Sequence, residues 1–136
     1  MKIAAKMLSL FFFIYLLLSC GRNDNDSTNE QTDFSGVYNG IAENNCNLTI
    51  IIKKENSGFS YIISGDNIYN TGKITVEKED GKNYLVFSGK IGDNQSNSLR
   101  SLHEKNTLSI QNYGNSMNEY VFFKDCNAKY LTFNKE

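Results

Sequence analysis

The sequence predicts an all-β protein, a small antiparallel meander of seven or eight short strands closing into a barrel or a sandwich, over residues 34–136. Three observations carry that expectation. From Phe34 onward apolar residues recur with a period of two rather than 3.6, as in strands with one buried face. Stretches rich in Gly, Asn and Asp interrupt the pattern at hairpin spacing. Two cysteines, Cys46 and Cys126, stand near opposite ends of the series, where one bridge would tie the sheet to itself.

The strands follow in order. "FSGVYNG" (Phe34–Gly40) opens the series, and its Gly36 and Gly40 imply a kink or a close backbone approach. "NLTIIIKK" puts Leu48, Ile50 and Ile52 on one face, with Thr49 and Lys53 on the other. "GFSYIIS" sets Phe59, Tyr61 and Ile63 against Ser60 and Ser64. "GKITVEK" directs Ile74 and Val76 inward, and "NYLVFSG" separates Leu85 and Phe87 from Tyr84 and Val86. "TLSIQNY" buries Leu108 and Ile110, and "EYVFFKD" and "KYLTFNK" finish the chain. Turns at Ser64–Asn67, Glu79–Lys82 and Asn112–Asn118 carry residues that tolerate positive φ, and Asp80-Gly81 is the strongest hairpin signal. "NSLRSLHEK" (Asn97–Lys105) fits either a helical turn, with Leu99 and Leu102 three apart, or a short strand.

Such a sheet must close or fold over to hide its edges. A Cys46–Cys126 disulfide would join a residue just before the second strand to one just before the last, which favours closure. On the chain-entropy argument a loop of this length is worth about 4.5 kcal/mol. Free thiols or metal ligands are the rival expectation, but two cysteines and the lone His103 give no zinc-type spacing.

The beginning of the chain has a different grammar. Lys2 and Lys6 precede an uncharged run from Met7 to Gly21, shorter than the roughly 20 apolar residues that span a bilayer. A basic start, a short apolar core and a small residue near its end describe a removable export signal, residues 1–19. "LLSC" (Leu17, Leu18, Ser19, Cys20) resembles the lipobox of bacterial lipoproteins. That resemblance implies a diacylglyceryl group on the Cys20 thiol and recognition of Leu17, Leu18 and Ser19 by a dedicated peptidase. Cleavage before Cys20 and an acyl chain on the new amine would follow. A thiolate is the nucleophile that accepts the lipid, and several acyl chains hold a protein on a membrane effectively permanently.

Residues 20–33 then form a leash. "GRNDNDSTNEQTD" contains no aliphatic or aromatic side chain and cannot offset the entropy of ordering itself. Gly21, rather than Asp, after the lipid-bearing cysteine is similar to outer-membrane lipoproteins of Gram-negative bacteria. Asp24 and Asp26 look like the surface-export signal of Bacteroidota lipoproteins, and Asp26-Ser27-Thr28 is similar to the O-glycosylation site of the same group. These resemblances imply a lipid-anchored protein on the outer membrane, facing the periplasm or the outside.

Composition and motifs speak against most chemistry. Two of the 14 basic residues and none of the 15 acidic ones precede Cys20, leaving a mature formal charge of −3 and no basic cluster for nucleic acid. His103 is the sole histidine, its neighbours "SLHEK" suggest a solvated surface position, and no G-x-S-x-G elbow occurs. Asp93–Ser98 lacks the Gly and closing Glu of a calcium loop. The expectation is a protein that is not an enzyme and has no cofactor beyond its own acyl chains.

Binding is what remains. Tyr113, Asn115, Met117 and Tyr120 lie in one polar, aromatic stretch, a composition found on recognition surfaces. The same residues would also suit a hairpin packed on the barrel. Lipobox, leash, about 100 residues of strands and one disulfide together resemble the membrane-bound inhibitors of C-type lysozyme, in architecture only. Their "SGxxY" loop and following lysine motif are missing, so no inhibitory residue carries over. The expected function is an envelope-anchored module that binds a protein partner, as an inhibitor or immunity-type factor. A lipocalin-like binder of a small apolar ligand and a structural accessory of an envelope complex are the alternatives.

Overall fold

The computed structural model describes residues 32–93 and 96–136, with the side chains of residues 96 and 97 left out. The export signal and the leash as far as residue 31, including Leu17, Leu18, Ser19 and Cys20, lie outside the described residues.

Eight strands close into a barrel. They are β1 (Gly36–Gly40), β2 (Leu48–Glu55), β3 (Gly58–Gly65), β4 (Tyr69–Glu79), β5 (Lys82–Ile91), β6 (Ser96–Glu104), β7 (Thr107–Gln111) and β10 (Tyr130–Lys135). Each pairs antiparallel with its neighbour in sequence, and β10 fills the gap between β7 and β1. Between β7 and β10 the chain leaves the wall for a separate two-stranded hairpin, β8 (Tyr113–Asn115) and β9 (Asn118–Val121). Closure removes the sheet edges that an open meander would present.

The period-two pattern explains the packing. Tyr38, Ile50, Ile63, Leu85, Phe87, Leu108, Ile110, Leu131 and Phe133 have no solvent exposure and fill the interior. Tyr61 meets Phe87 edge to face, with centroids 5.0 Å apart, and donates its hydroxyl to the Ser88 carbonyl at 3.2 Å. An eight-stranded barrel has an interior about wide enough to be filled by side chains, and this one is filled by large ones. Burial raises the Tyr61 pKa; burial, and then the charge of Asp33, push the Tyr38 phenol up to about 12.

The sharpest turn is the β4–β5 connection, where Asp80 (φ 50°) and Gly81 (φ 76°) both adopt the left-handed conformation of a type I′ hairpin. At the β1–β2 connection Asn44 stands in for a strand. Its Nδ2 donates to the Thr132 carbonyl at 2.7 Å, and its Oδ1 accepts from the Thr132 N–H at 2.9 Å, extending the β10 ladder beyond the end of β1.

One open alternative is settled and three expectations need correction. Of the two alternatives for residues 97–105 the strand is adopted: β6 runs to Glu104, Lys105 (φ 56°) lies in the turn, and Leu99 points inward while Leu102 lies on the outer face. His103 is not a surface residue: only 8 % of it is exposed. Alternation from Leu99 through Ser101 directs it into the barrel, beneath Phe34, whose ring it meets edge-on at 4.9 Å. Burial and then the nearby Lys135 charge lower the His103 pKa. Val76 is 39 % exposed although it lies opposite the buried Leu85. β3 begins only at Gly58, so the inward side of β4 has no neighbouring wall at Val76. Finally, "EYVFF" is not strand throughout, because β9 ends at Val121 and Phe123 turns into the core.

Candidate functional site

Strand direction assigns every connection to one of two ends. The chain enters at Phe34, and the turns β2–β3, β4–β5 and β6–β7 and the C-terminus share that end. The β8–β9 hairpin, the β5–β6 turn and the disulfide occupy the other.

The base of the hairpin is fastened by side chains that sequence reasoning passed over. Asn112 has no exposure. Its Nδ2 lies within hydrogen-bonding reach of the carbonyls of Phe123 (3.1 Å), Cys126 (3.0 Å) and Ala128 (3.3 Å), and its Oδ1 accepts from the Phe123 N–H at 2.8 Å. One amide group thereby gathers both ends of the excursion from the barrel wall. The Cys46–Cys126 disulfide, Cα atoms 4.9 Å apart, ties the same segment to the start of β2. The β5–β6 turn adds a third tie, in which the Asp93 N–H donates to the Phe122 carbonyl at 2.7 Å and Asp93 Oδ2 accepts from the Lys124 N–H at 2.7 Å. Gly92 (φ 64°) allows this approach, since a Cβ there would lie 1.9 Å from the Phe122 carbonyl oxygen.

The four residues expected to bind a partner divide by role. Tyr113 is half-buried and donates its hydroxyl to the Cys126 carbonyl, so it anchors the hairpin. Asn115 builds the tip: its Oδ1 accepts from the N–H groups of Met117 (3.0 Å) and Asn118 (2.9 Å), an Asx turn. Met117 is 92 % exposed at that tip. Tyr120 packs edge-on against Phe122 at 5.2 Å and remains partly exposed. The hairpin flanks a surface groove of about 570 Å³ lined by Asp93, Tyr113, Asn115, Glu119, Tyr120 and Lys124. The structure therefore brings the four residues onto one element, with two of them shaping it and two facing outward. No signal in the sequence distinguishes Asn112 from the other amides around it, because its role comes from long-range burial.

Among the described residues no group of three or more His, Cys, Asp or Glu could hold a metal ion. No helix among them is long and apolar enough to cross a membrane. Comparison of the chain with protein-family models, with curated proteins and with solved structures finds no match.

Proposed function

We propose that this protein is a lipid-anchored binding module of a bacterial envelope, held at the outer membrane by acyl chains on Cys20, which engages a protein partner through the tip of the β8–β9 hairpin. The observation that carries the reading is the contrast within that hairpin. Its base is fixed by Asn112, Tyr113 and a disulfide, while its tip presents an almost fully exposed Met117. A preformed element loses little conformational entropy on docking, and methionine adapts to an irregular partner surface.

Two further points support it. The barrel interior is filled by aromatic and aliphatic side chains, which favours recognition at the surface over a lipocalin-like internal ligand. The described chain enters the barrel at the end opposite the hairpin, so the first strand and the proposed contact surface lie at different ends. The test is a photo-crosslinking amino acid at Met117, with the same group at Lys78 near the opposite end as control, followed by identification of crosslinked proteins from intact envelopes. A discrete product from position 117 that is missing from position 78 supports the reading. Equal, diffuse labelling from both positions contradicts it.

A further inference from the structure

The outer wall of the barrel beside the hairpin departs from the polar pattern of a solvated sheet face. Register sets Tyr84 of β5 against Leu102 of β6, and Gln111 of β7 against Tyr130 of β10, on outward-facing positions. The chain around the end of β9 brings Tyr120 and Phe122 to the same wall. The result is a groove of about 520 Å³, within the range of small-ligand sites. It is distinct from the groove beneath the hairpin tip, although Tyr120 borders both.

Its rings are held in place. Tyr120 and Phe122 brace each other edge-on, with an interplanar angle of 65°. The Arg100 guanidinium lies 3.7 Å above the Tyr84 ring, and is itself paired with Glu77 at 3.3 Å and with Glu79. Tyr130 is 59 % exposed, with the Lys129 ammonium over one face of its ring at 5.8 Å and the other face open to a ligand. The charge is equally informative. Among the described residues lining the groove only Arg100 is charged; two carboxylates pair with it, and with the Lys129 ammonium beside Tyr130 the local charges balance. Neither an anion nor a cation gains much from such a site. Gln111 donates its Nε2 to the Tyr113 carbonyl at 2.9 Å, which orients the amide and leaves its Oε1 to accept from a ligand donor.

We propose that this groove binds a neutral oligosaccharide. A pyranose ring has a C–H face that matches the negative face of an aromatic ring, and a hydroxyl rim that both donates and accepts. Tyr130 stacks on the sugar face, Tyr120 and Phe122 border it, and Gln111 Oε1 accepts from a hydroxyl. A proline-rich peptide also docks in aromatic grooves, but proline has no N–H to offer that acceptor.

The experiment uses the full-length protein in a detergent without a sugar headgroup, titrated with cellohexaose, maltoheptaose, xylohexaose and mannohexaose. Saturation-transfer NMR and tyrosine fluorescence are the readouts, and a proline decapeptide is run in parallel. At least one glycan should bind; Tyr130→Ala should weaken it about tenfold, while Tyr130→Phe, which keeps the stacking face, should stay within about threefold. Met117→Ala should leave glycan binding unchanged, which separates this site from the hairpin tip. No binding of any of the four glycans up to about 10 mM overturns the proposal. So does glycan binding that is indifferent to Tyr130→Ala, or binding of the peptide alone.

Discussion

Replacing both bridge cysteines, as Cys46→Ala/Cys126→Ala, probes what holds the hairpin side of the barrel together. The bridge spans a sequence separation of 80 and ties the excursion after β9 to the start of β2. Its loss frees the unfolded chain from a loop of that size, worth about 4.5 kcal/mol. Cys126 is buried, so truncation also leaves a small void, adding up to about 1 kcal/mol. Reduced wild-type protein keeps both sulfur atoms and isolates the loop contribution from that void. Urea unfolding of the oxidised, reduced and double-variant forms measures all three. The reduced form should lose about 4.5 kcal/mol, equivalent to a fall in Tm of about 20 °C for a domain of this size. Its dependence on urea should steepen, because the opened chain exposes more surface on unfolding. A loss under about 1 kcal/mol with unchanged urea dependence would refute the reasoning, since the unfolded chain would then be no freer without the bridge.

Four other outcomes follow from individual residues. His103 has a lowered pKa, so the unfolded imidazole takes up its proton first; stability should decline as pH falls below about 6.5. Urea midpoints between pH 7.5 and pH 5 should show that decline, and His103→Leu should reduce it. Tyr38 and Tyr61 have raised pKa values, so their phenols should resist ionisation above pH 10 in the folded protein, and stability should fall between pH 10 and about 12 as the unfolded phenols ionise. Ultraviolet titration at about 295 nm, with and without urea, measures this. Asn112→Ala leaves the buried Phe123 N–H without its acceptor and the Ala128 carbonyl without its side-chain donor, while the Phe123 and Cys126 carbonyls keep the Cys126 N–H and the Tyr113 hydroxyl; it should cost about 2–4 kcal/mol by urea unfolding. Gly92→Ala places a methyl group against the Phe122 carbonyl and should cost roughly 2 kcal/mol or more, with hydrogen exchange accelerating at residues 113–123 before the barrel amides respond.

The barrel was legible wherever burial and alternation agree. Leu48, Ile50 and Ile52, then Phe59, Tyr61 and Ile63, point inward as their spacing predicts, and the Asp80-Gly81 turn has its predicted hairpin geometry. The disulfide is expected of a cysteine pair in a chain that reads as exported, and its place at the two ends of the strand series points to closure. Legibility failed where a residue's environment depends on a distant partner. His103 has charged and polar neighbours in sequence, yet the inward register of β6 buries it under Phe34, some 70 residues earlier. Val76 matches the pattern but lies beyond the point where β3 could cover it. In the candidate site, composition located the hairpin without assigning its parts. Tyr113 and Asn115 resemble recognition residues in sequence and serve as anchor and turn in the fold. The groove beside Tyr130 was invisible for a similar reason: its rings come from β5, the end of β9 and β10, which meet only when the barrel closes.

The central claim, a lipid-anchored module, is tested most directly by metabolic labelling of cells with an alkyne palmitate, followed by capture of this protein and detection of the label. Wild-type protein should carry the alkyne and remain with membranes, whereas Cys20→Ala should carry none and keep its uncleaved signal. An unlabelled wild type, or equal labelling of the two proteins, would contradict the anchor.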